Sequence, residues 1–485
     1  MSDAIEGLKP QPVWKYFAEI SRIPRCSGNE AAASRYVLGV ARRLGLEARA
    51  DDVGNVVAAK PASPGRDHVR GVVLQGHLDM VCEKNKDRVH DFSKDPIEIV
   101  RRGDVLMADG TTLGADNGIG VAMCLAIMED RSLTHGPLEF LFTVDEERGL
   151  TGAKSLRSDF LRGRTLLNLD SEEEGALYVG CAGGRDTLGS WKVEFDPAPV
   201  GTAACLLRVT GLRGGHSGLE IDKGRGNAIK IINRVLTALS PLGIRIASLD
   251  GGNKRNAIPR EAEARFFLAP KAWDQARAIV ARCNDTIRAE LASVDPGLEI
   301  SVEELKGVRR GKVLRAAAQK RILKTLAALP HGVIRMSPDI PGLVETSTNL
   351  AMITTGKKAV SVATSQRSSV ASEIEEICQT VASVFELGGA EIESPEGYPG
   401  WKPNLESEIL RIAKETYKSL YGKEPEVKAV HAGLECGIIG EKFSGMDMVS
   451  MGPSYEGVHS PEEKIHIDSV ERFWDYLLAL LGNIG

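Results

Sequence analysis

The sequence predicts an α/β protein whose chain is interrupted by an inserted α+β domain. Residues 1–184 alternate helical and strand patterns, and the strand runs are continuous and rich in β-branched residues, as in buried parallel strands. Residues 185–389 interleave longer strands and helices, which suits an antiparallel sheet. Residues 390–485 return to the α/β pattern. If both ends contribute to one site, residues 1–184 and 390–485 form one discontinuous domain around an inserted lid or dimerisation domain.

The outer domain begins with three predicted buried strands and two helices. Each strand is a continuous apolar run, and the second helix carries Ile119, Met123 and Ile127 on one face. Sites in open α/β sheets form at the carboxyl ends of strands, so the residues that follow these runs are the first candidates for chemistry. The predicted strands are 71–75, 138–144 and 165–169, and the predicted helices are 30–46 and 117–129.

The insertion and the last part of the chain follow their own patterns. In the insertion, Ile229, Ile232 and Val235 recur at helical spacing, and the segment is long enough for two ferredoxin-like units, although its halves show no sequence repeat. A Pro/Gly-rich connector at 394–403 leads back to the outer domain. The predicted strands are 204–210, 244–249, 262–268, 298–303, 358–364 and 446–451, and the predicted helices are 226–239, 271–293, 314–328, 371–387, 405–421 and 468–482.

Composition excludes several classes of protein. At 485 residues the chain is too long for one ordinary core. Its 61 Lys and Arg residues against 66 Asp and Glu residues leave a net charge of −5 without a dense basic run, so no nucleic-acid partner is expected. The N-terminus lacks the pattern of a signal peptide, and no run reaches the roughly 18 apolar residues of a membrane span. We therefore expect a cytoplasmic protein that contacts neither membrane nor nucleic acid.

Eight cysteines are scattered along the chain without a CxxC pair. In a long chain without a signal peptide, this distribution predicts free thiols in a reducing compartment. Cys82 and Cys436 fall near the polar segments described below and could line a site. A buried, inert thiol is the more frequent role for such residues, and it is the one we expect for both.

Five residues in Gly- or Asp-rich segments are candidate metal ligands. His77, Glu147 and Asp170 follow the three predicted strands, Asp116 stands where a predicted helix begins, and His459 lies in a loop of sequence GVHSPEE. The mixture of imidazole and carboxylate suits zinc and its neighbours. Together the candidates make two sets of three that share Asp116, with His77 and Asp170 in one set and Glu147 and His459 in the other. Two-metal hydrolytic sites hold a hydroxide between their ions.

Each candidate also has a purely structural interpretation. His77 and Asp79 are two apart on an extended segment and point the same way, so Asp79 could orient His77 as a ligand, or the two could only hydrogen-bond at a strand end. Asp116 could cap its helix, and Asp170 could cap the next turn. A histidine in a surface loop, such as His459, usually binds no metal.

Glu146 and Glu147 are adjacent carboxylates at the end of a buried strand. The two negative charges repel each other, and burial removes their hydration. Both costs are large unless a nearby cation compensates them. A metal that binds Glu147 and leaves Glu146 as a general base removes these costs. The alternative is a solvated run of charge, since Asp145 and Arg148 flank the pair.

The insertion carries three further polar candidates. His216 lies in the Gly-rich turn GGHSG, Asn256 in NKRNAIPR and Arg367 in TSQRSS. His216 could stabilise an oxyanion, Asn256 could hydrogen-bond a substrate amide, and Arg367 could bind a carboxylate. By spacing alone, each is more often an ordinary loop residue.

Taken together, the polar segments resemble a known family. They are GHLDMV (76–81), GTTLGADNGIG (110–120), EERGLTGA (146–153), NLDSEEEG (168–175), GGHSG (214–218), RNAIPRE (255–261), HAGLECG (431–437) and GPSYEGVHSPEE (452–463). This ordered set resembles the aminoacyl-histidine (Xaa-His) dipeptidases, or bacterial peptidase D, within the dizinc aminoacylase/carboxypeptidase-like metallopeptidases. The resemblance runs from about residue 12 to the C-terminus, and the ordered set is far more specific than any one segment.

The resemblance implies a discontinuous α/β catalytic domain with an α+β lid and a cytoplasmic, zinc-dependent dipeptidase. It implies that the five candidate ligands bind two zinc ions, bridged by Asp116, with cobalt or manganese as substitutes, and that the peptide bond after Asp116 is cis. It implies Asp79 as the partner of His77, Glu146 as the general base, and substrate contacts from the insertion. One departure is Asp145, where family members carry Thr; an extra carboxylate there could raise the pKa of Glu146. The residues implied to hold substrate are His216, Asn256 and Arg367.

The implied activity is hydrolysis of dipeptides, preferably Xaa-His and including β-Ala-His, by a hydroxide held between two zinc ions. Two alternatives stay open. One is a relative that cleaves another amide, such as an N-acyl amino acid or a longer peptide. The other is a metal-binding protein without activity, which the presence of Glu146 argues against, because a structural metal needs no spare base. A homodimer, with His216 acting within the chain or across an interface, is also left open.

Overall fold

The structure is a computed structural model that describes residues 3–308 and 311–485. The chain divides into two compact units. Unit 1 comprises Met1–Cys181, Trp401–Ala429 and Leu434–Gly485, and unit 2 comprises Ala182–Gly400 and Val430–Gly433. The short return of the chain to unit 2 at Val430–Gly433 is not anticipated by the sequence patterns. The catalytic and lid roles given to the two parts of the chain stay predictions.

Twelve α-helices lie within the described residues, together with short 3-10 turns. Each predicted helix has a counterpart whose ends differ by a few residues. The helices are α1 (Gln11–Ile20), α2 (Ala31–Arg43), α3 (Ala115–Glu129), α4 (Glu146–Gly149), α5 (Thr151–Ser155), α6 (Ala228–Leu239), α7 (Trp273–Glu290), α8 (Ala316–Ala328), α9 (Ala371–Leu387), α10 (Glu408–Tyr421), α11 (Glu435–Lys442) and α12 (Ile467–Asn483).

The described residues also form 25 strands, including counterparts of all those predicted. They are β1 (Glu47–Ala50), β2 (Val56–Lys60), β3 (Val72–His77), β4 (Ile99–Arg102), β5 (Val105–Ala108), β6 (Leu138–Thr143), β7 (Thr165–Asn168), β8 (Ala176–Cys181), β9 (Gly183–Lys192), β10 (Phe195–Pro197), β11 (Ala203–Thr210), β12 (Gly215–His216), β13 (Arg245–Gly251), β14 (Ala257–Ile258), β15 (Ala262–Leu268), β16 (Glu299–Glu304), β17 (Lys312–Leu314), β18 (Gly332–Met336), β19 (Val344–Thr355), β20 (Ala359–Ser368), β21 (Glu391–Glu393), β22 (Glu426–Val430), β23 (Asp447–Ser450), β24 (Tyr455–Glu456) and β25 (Lys464–His466).

Unit 1 is built around an eight-stranded mixed sheet of order β1-β2-β6-β3-β7-β23-β8-β22. Its centre is parallel: β3 pairs with β6 and β7, and β7 pairs with β23, all in the same direction. The predicted parallel strands are therefore confirmed. The carboxyl ends of these four strands lie at one edge of the sheet, which is where ligand sites form in open α/β folds.

Helix α3 packs against β3 and α1 and is buried almost all round. Its sequence ADNGIGVAMCLAIME carries no charge after its second residue until the last one, so every face can be buried. The interior position of α3 holds its first turn, and with it Asp116, against the end of β3.

Unit 2 contains a nine-stranded antiparallel sheet whose path runs β16-β11-β15-β13-β19-β20-β9-β21, with β18 paired to β19. Strands β11, β13, β15 and β16 with helices α6 and α7 form one βαββαβ ferredoxin-like unit. Strands β9, β19, β20 and β21 with α8 and α9 form a second, and β13 joins β19. The structure thus confirms a duplication that the sequence, which shows no repeat, only allowed.

The four helices α6–α9 share one apolar core with the sheet of unit 2. Ile229, Ile232 and Val235, predicted to lie on one face of α6, are each completely buried there. Two long strands of this sheet were not predicted. Strand β19 begins VETSTNLA and β9 is GGRDTLGSWK. Both are buried along much of their length, although most of these residues are polar or glycine.

Cys26 and Cys82 form a disulfide in unit 1, with their Cα atoms 5.7 Å apart. The expectation of eight free thiols is therefore wrong for this pair. The two segments meet because Met80 N donates to Arg25 O and Ser27 N donates to Met80 O, a contact that their separation of 56 residues conceals in the sequence. Cys436 is a completely buried free thiol, as predicted. In the ranges described, no helix is both long and apolar enough to cross a bilayer.

Candidate metal centre

One set of candidate ligands meets at the carboxyl ends of β3 and β7. His77 is the last residue of β3, and its Nε2 lies 3.0 Å from Asp116 Oδ1 and 3.3 Å from Asp170 Oδ1. The three residues offer ligand atoms that all lie within 4.8 Å of one another. His77 is 1% exposed, so its imidazole is shielded from solvent.

The second set meets on the other oxygen of Asp116. His459 Nε2 lies 3.2 Å from Asp116 Oδ2 and 2.9 Å from Glu147 Oε2. These three residues also offer ligand atoms within 4.8 Å of one another. Asp116 thus presents one oxygen to each set, which is the geometry of a carboxylate that bridges two ions.

The donor atoms fit divalent cations. Asp170 Oδ1 is buried and has no hydrogen-bond partner among the described residues. Burial raises the pKa of Asp170 to about 7, and contacts with Asp116 and Glu147 raise the pKa of His459 to about 11. Burial opposes a charge on His77, yet Asp170, Asp116 and Asp79 together raise its pKa well above the usual value. The site holds an excess of negative charge, which zinc-type ions would neutralise with these same ligands.

Asp79 connects the two sets. It is completely buried, and its Oδ1 lies 3.3 Å from His77 Nδ1 and accepts the Glu146 N–H at 3.0 Å. Its Oδ2 accepts from Ser27 Oγ at 2.8 Å and from Glu147 N at 3.2 Å. Burial opposes its charge, but His77 and these donors lower the pKa of Asp79 to about 2. Asp79 therefore fixes the position of the His77 imidazole relative to the first turn of α4.

Glu146 lies beside both sets, and its carboxylate is within 4.8 Å of ligand atoms of His77 and Glu147. Burial raises the pKa of Glu146 well above its ordinary value, and Asp170 and Glu147 add to the shift, whereas His77 opposes it. The Asp145 carboxylate is paired elsewhere, because it accepts from Arg148 Nε at 2.6 Å and from Thr151 Oγ1 at 2.5 Å. The carboxylate of Asp145, where the family pattern has Thr, is thus held by local hydrogen bonds to Arg148 and Thr151.

The backbone at Asp116 excludes the capping alternative. Helix α3 is capped by Gly114 without a side-chain bond, and Asp116 has non-helical φ and ψ of −79° and 111°. The Asp116–Asn117 peptide bond is cis, as expected. Asn117 Nδ2 donates to Leu169 O at 2.6 Å, which ties this turn to the end of β7.

Two buried residues that sequence analysis missed hold the loop before Asp116. Glu463 accepts the backbone N–H groups of Leu113, Gly114 and Ala115 at 2.7–2.9 Å and that of Asp116 at 3.3 Å. Arg25 is 1% exposed and donates to the carbonyls of Leu78, Asp79 and Gly114. Glu463 ends the same motif that contains His459 and could have been found from it, whereas nothing in the sequence around Arg25 signals its role.

The three candidates in the insertion all lie in unit 2. His216 Nδ1 accepts from the backbone N–H groups of Gly218 and Leu219 at 3.2 and 3.1 Å, so the ring proton of the neutral form is on Nε2. Burial and the charge of Arg367 lower the pKa of His216 to about 4. Asn256 is exposed. Its backbone carbonyl accepts the Ser217 N–H at 2.9 Å, which places Asn256 beside His216.

Arg367 lies on β20 and is 7% exposed. Its Nη1 donates to Tyr398 Oη at 3.0 Å, and its buried Nε has no hydrogen-bond partner among the described residues. His431, which sequence analysis gave no role, lies 2.7 Å from Ser347 Oγ through its Nε2, and burial and Arg367 lower its pKa to about 3. One guanidinium with spare donors, among neutral imidazoles, is an arrangement that suits a carboxylate.

Comparison with known proteins agrees with this architecture. The chain is 41% identical over 481 residues to the cytosol non-specific dipeptidase of Escherichia coli (strain K12), covering 99% of each chain. It is 43% identical to the crystal structure of aminoacylhistidine dipeptidase from Vibrio alginolyticus, with a TM-score of 0.90, covering 98% of this chain and 97% of that one. Aminopeptidase PepT from Bacillus cereus, 17% identical with a TM-score of 0.57 and covering 98% and 99% of the two chains, shares the fold.

The sequence model of Peptidase family M20/M25/M40 matches residues 73–483. This range includes all five candidate ligands, the whole of unit 2 and most of unit 1. The chain therefore belongs to peptidase family M20/M25/M40 and is a hydrolase that acts on peptide bonds.

Proposed function

We propose that the protein is a metal-dependent dipeptidase that uses two zinc ions, with cobalt or manganese as substitutes, and prefers Xaa-His substrates. The observation that carries the proposal is the pair of three-ligand sets that share Asp116, with Glu146 beside them. The names of its relatives, a non-specific dipeptidase and an aminoacylhistidine dipeptidase, support dipeptides as the substrate class. The name of the first relative also supports a cytoplasmic location.

Glu146 is the proposed general base. Two divalent ions bound by the two sets would lower the pKa of a shared water and polarise the scissile carbonyl. Glu146 accepts the proton of the attacking water and returns it to the leaving amine. Asp79 keeps Glu146 in place through the backbone N–H groups of Glu146 and Glu147, and it keeps His77 in the orientation that offers Nε2 to a metal.

Residues of unit 2 are the proposed substrate contacts. His216 is neutral with its proton on Nε2, so it can donate a hydrogen bond to the oxyanion of the tetrahedral intermediate. Arg367 retains a buried donor at Nε for the free C-terminal carboxylate of the substrate. Asn256 is exposed beside His216 and can bond the substrate amide. A carboxylate near the metal ligands would bind the free N-terminus. Contacts to both ends of the substrate would restrict its length to dipeptides.

The test is release of amino acids from a panel of five compounds by protein loaded with zinc, before and after chelation. The panel is β-Ala-His, Gly-His, Ala-Ala, Gly-Gly-His and N-acetyl-Ala. We expect chelator-sensitive cleavage of the dipeptides, fastest for those ending in His, with the tripeptide and the acetylated compound spared. Cleavage of N-acetyl-Ala alone would move the protein to the aminoacylases, and equal rates for Ala-Ala and Gly-His would remove the preference for His.

Metal identity and assembly need separate measurements. Elemental analysis of the purified protein is expected to give two zinc ions per chain, and a value near one would contradict the bridged site. A homodimer stays a prediction, which sedimentation equilibrium of the intact protein would decide.

A further inference from the structure

A layer of buried polar side chains lies just beneath the candidate metal ligands in unit 1. It contains Gln75, Thr143, Asn168 and Ser450, one from each of the parallel strands β3, β6, β7 and β23, and each is completely buried. Alternate residues of an extended chain point the same way, so Gln75 lies below His77, two residues before it. Asn168 precedes Asp170 by the same interval, and Leu169 N donates to Gln75 O at 2.8 Å, which continues the pairing of the two strands.

The hydrogen bonds of this layer all lead to one carboxylate, that of Glu435 at the start of α11. Gln75 Nε2 and Thr143 Oγ1 each donate to Glu435 Oε2 at 2.6 Å. Asn168 Nδ2 donates to Gln75 Oε1 at 2.5 Å, and Ser450 Oγ donates to Asn168 Oδ1. Because every donor points toward the carboxylate, each bond polarises the next. The orientation of the Gln75 amide is fixed on both sides.

A carboxylate at this place is costly for folding. Glu435 is completely buried, none of its hydrogen bonds comes from a Lys or Arg side chain, and its Oε1 has no hydrogen-bond partner among the described residues. An apolar side chain of similar volume would avoid the desolvation of this charge. The layer joins the strands that bear His77 and Asp170, so a compensating gain is expected at these ligands.

We propose that Gln75 and Glu435 are positioning residues that set the affinity of the His77–Asp116–Asp170 set for its metal ion. The inference rests on the proposed function, because it assumes that this set binds an ion. Groups that hydrogen-bond directly to metal ligands are worth about 10–100-fold in metal affinity. Gln75 and Glu435 bond to the strands that carry the ligands and not to the ligands themselves, so we expect the lower end of this range. The second set should be affected less, because Glu147 in helix α4 and His459 in a loop lie outside the hydrogen-bonded layer.

The experiment measures binding of Co²⁺ alone, without substrate, by its visible absorption. Each set is isolated by a background variant: His459→Ala leaves the first set, and Asp170→Ala leaves the second. We expect Gln75→Leu to weaken Co²⁺ binding about tenfold in the His459→Ala background and less than about threefold in the Asp170→Ala background. A matched control is Gln319→Leu, which removes a buried glutamine bonded to Ile244 O and Ile246 N in unit 2.

Three outcomes overturn the inference. They are unchanged affinity in the His459→Ala background, equal loss in both backgrounds, and a loss that Gln319→Leu reproduces. A fall in the unfolding temperature of Gln75→Leu without a change in Co²⁺ affinity would make the layer merely structural. The proposed function fails separately, if wild-type protein binds two Co²⁺ ions and hydrolyses none of the peptides, and that result leaves the affinity measurement valid.

A second pair of variants tests the hydrogen bond itself. Glu435→Gln removes the charge, and we expect it to weaken Co²⁺ binding in the His459→Ala background. Combining it with Gln75→Glu exchanges the two groups and restores one carboxylate–amide bond, so affinity should return to within about threefold of the starting protein. An exchanged protein that binds as weakly as the worse single variant would contradict the proposal.

Discussion

The two units gather polar side chains of opposite character. In unit 1, the carboxylates of Asp116, Glu147 and Asp170 surround two imidazoles at the ends of parallel strands. In unit 2, burial and the charge of Arg367 keep His216 and His431 neutral, although Glu220 and Asp222 partly oppose this effect. The first cluster attracts cations, and the second attracts an anion. The proposed function uses both clusters, the first to activate water and the second to bind the free carboxylate of the substrate.

The two clusters also depend on different parts of the fold. Three of the unit 1 ligands, His77, Glu147 and Asp170, end or follow parallel strands, where the sheet brings distant segments together. In unit 2, Arg367 lies on a long strand of the nine-stranded antiparallel sheet, whereas His216 lies on the short strand β12, which pairs with β14 outside that sheet. Variants in unit 1 should therefore change the rate or the metal content, and variants in unit 2 should change substrate binding.

The largest effect is expected at Glu146. Glu146→Ala should retain two metal ions and lower kcat more than about a thousandfold, because it removes the general base and leaves the ligands intact. Steady-state kinetics with elemental analysis measures both quantities. The control Glu98→Ala removes an exposed carboxylate paired with Arg88 and should leave kcat unchanged. If Glu146→Ala turned over substrate at nearly the wild-type rate, Glu146 would not be the general base.

The next effect concerns metal content. His459→Ala should bind one ion instead of two, because it removes a ligand from one set and none from the other. The stoichiometry is read by elemental analysis after gel filtration. Two ions retained at wild-type affinity would mean that His459 is not a ligand.

Arg367 should act on KM rather than on metal binding. Arg367→Met should raise KM for a free dipeptide about 10–100-fold, the effect of losing a charge-assisted hydrogen bond, and leave two ions bound. The matched control is Arg208→Met, which removes an exposed arginine of the same sheet, paired with Glu303. If Arg367→Met lowered kcat alone, or if the C-terminal amide of the dipeptide were an equally good substrate of wild type, Arg367 would not bind the carboxylate.

His216 offers a smaller, spectroscopic difference between the units. Its pKa by NMR should be about 4, with the proton of the neutral ring on Nε2. An unfolded histidine titrates near 6.5, so between these values the unfolded chain binds more protons than the folded one. Stability should therefore fall as the pH drops from about 6.5 to about 4, and this dependence should weaken in His216→Gln. A measured pKa near 6.5 would show that the ring is not held neutral.

The smallest expected change concerns the thiols. Unit 1 contains the Cys26–Cys82 disulfide, whereas Cys205, Cys283 and Cys378 of unit 2 are free. Titration of the unfolded protein without reductant should therefore find six thiols per chain, rising to eight after reduction. Eight thiols before reduction would restore the expectation drawn from the sequence.

Much of the architecture could be predicted because it depends on local patterns. Continuous apolar runs specify β3, β6 and β7, and helical periodicity specifies α6. Strand β19 escaped prediction because its Thr, Ser and Asn side chains are buried by neighbouring strands, which no local pattern records. The Cys26–Cys82 pair was missed for the same reason, since only the folded sheet brings the two segments together.

By itself, the sequence determined the alternation of strands and helices, the places where strands end, and the chemical types of residue found there. Those facts suffice to nominate His77, Asp116, Glu147, Asp170 and His459 as candidate ligands. Only the tertiary structure decided that these residues meet in two sets and that Asp116 offers an oxygen to each. The layer that ends at Glu435 is also known only from the tertiary structure. Its members are separated by up to hundreds of residues, and the local sequence around each one does not distinguish it from an ordinary buried polar residue.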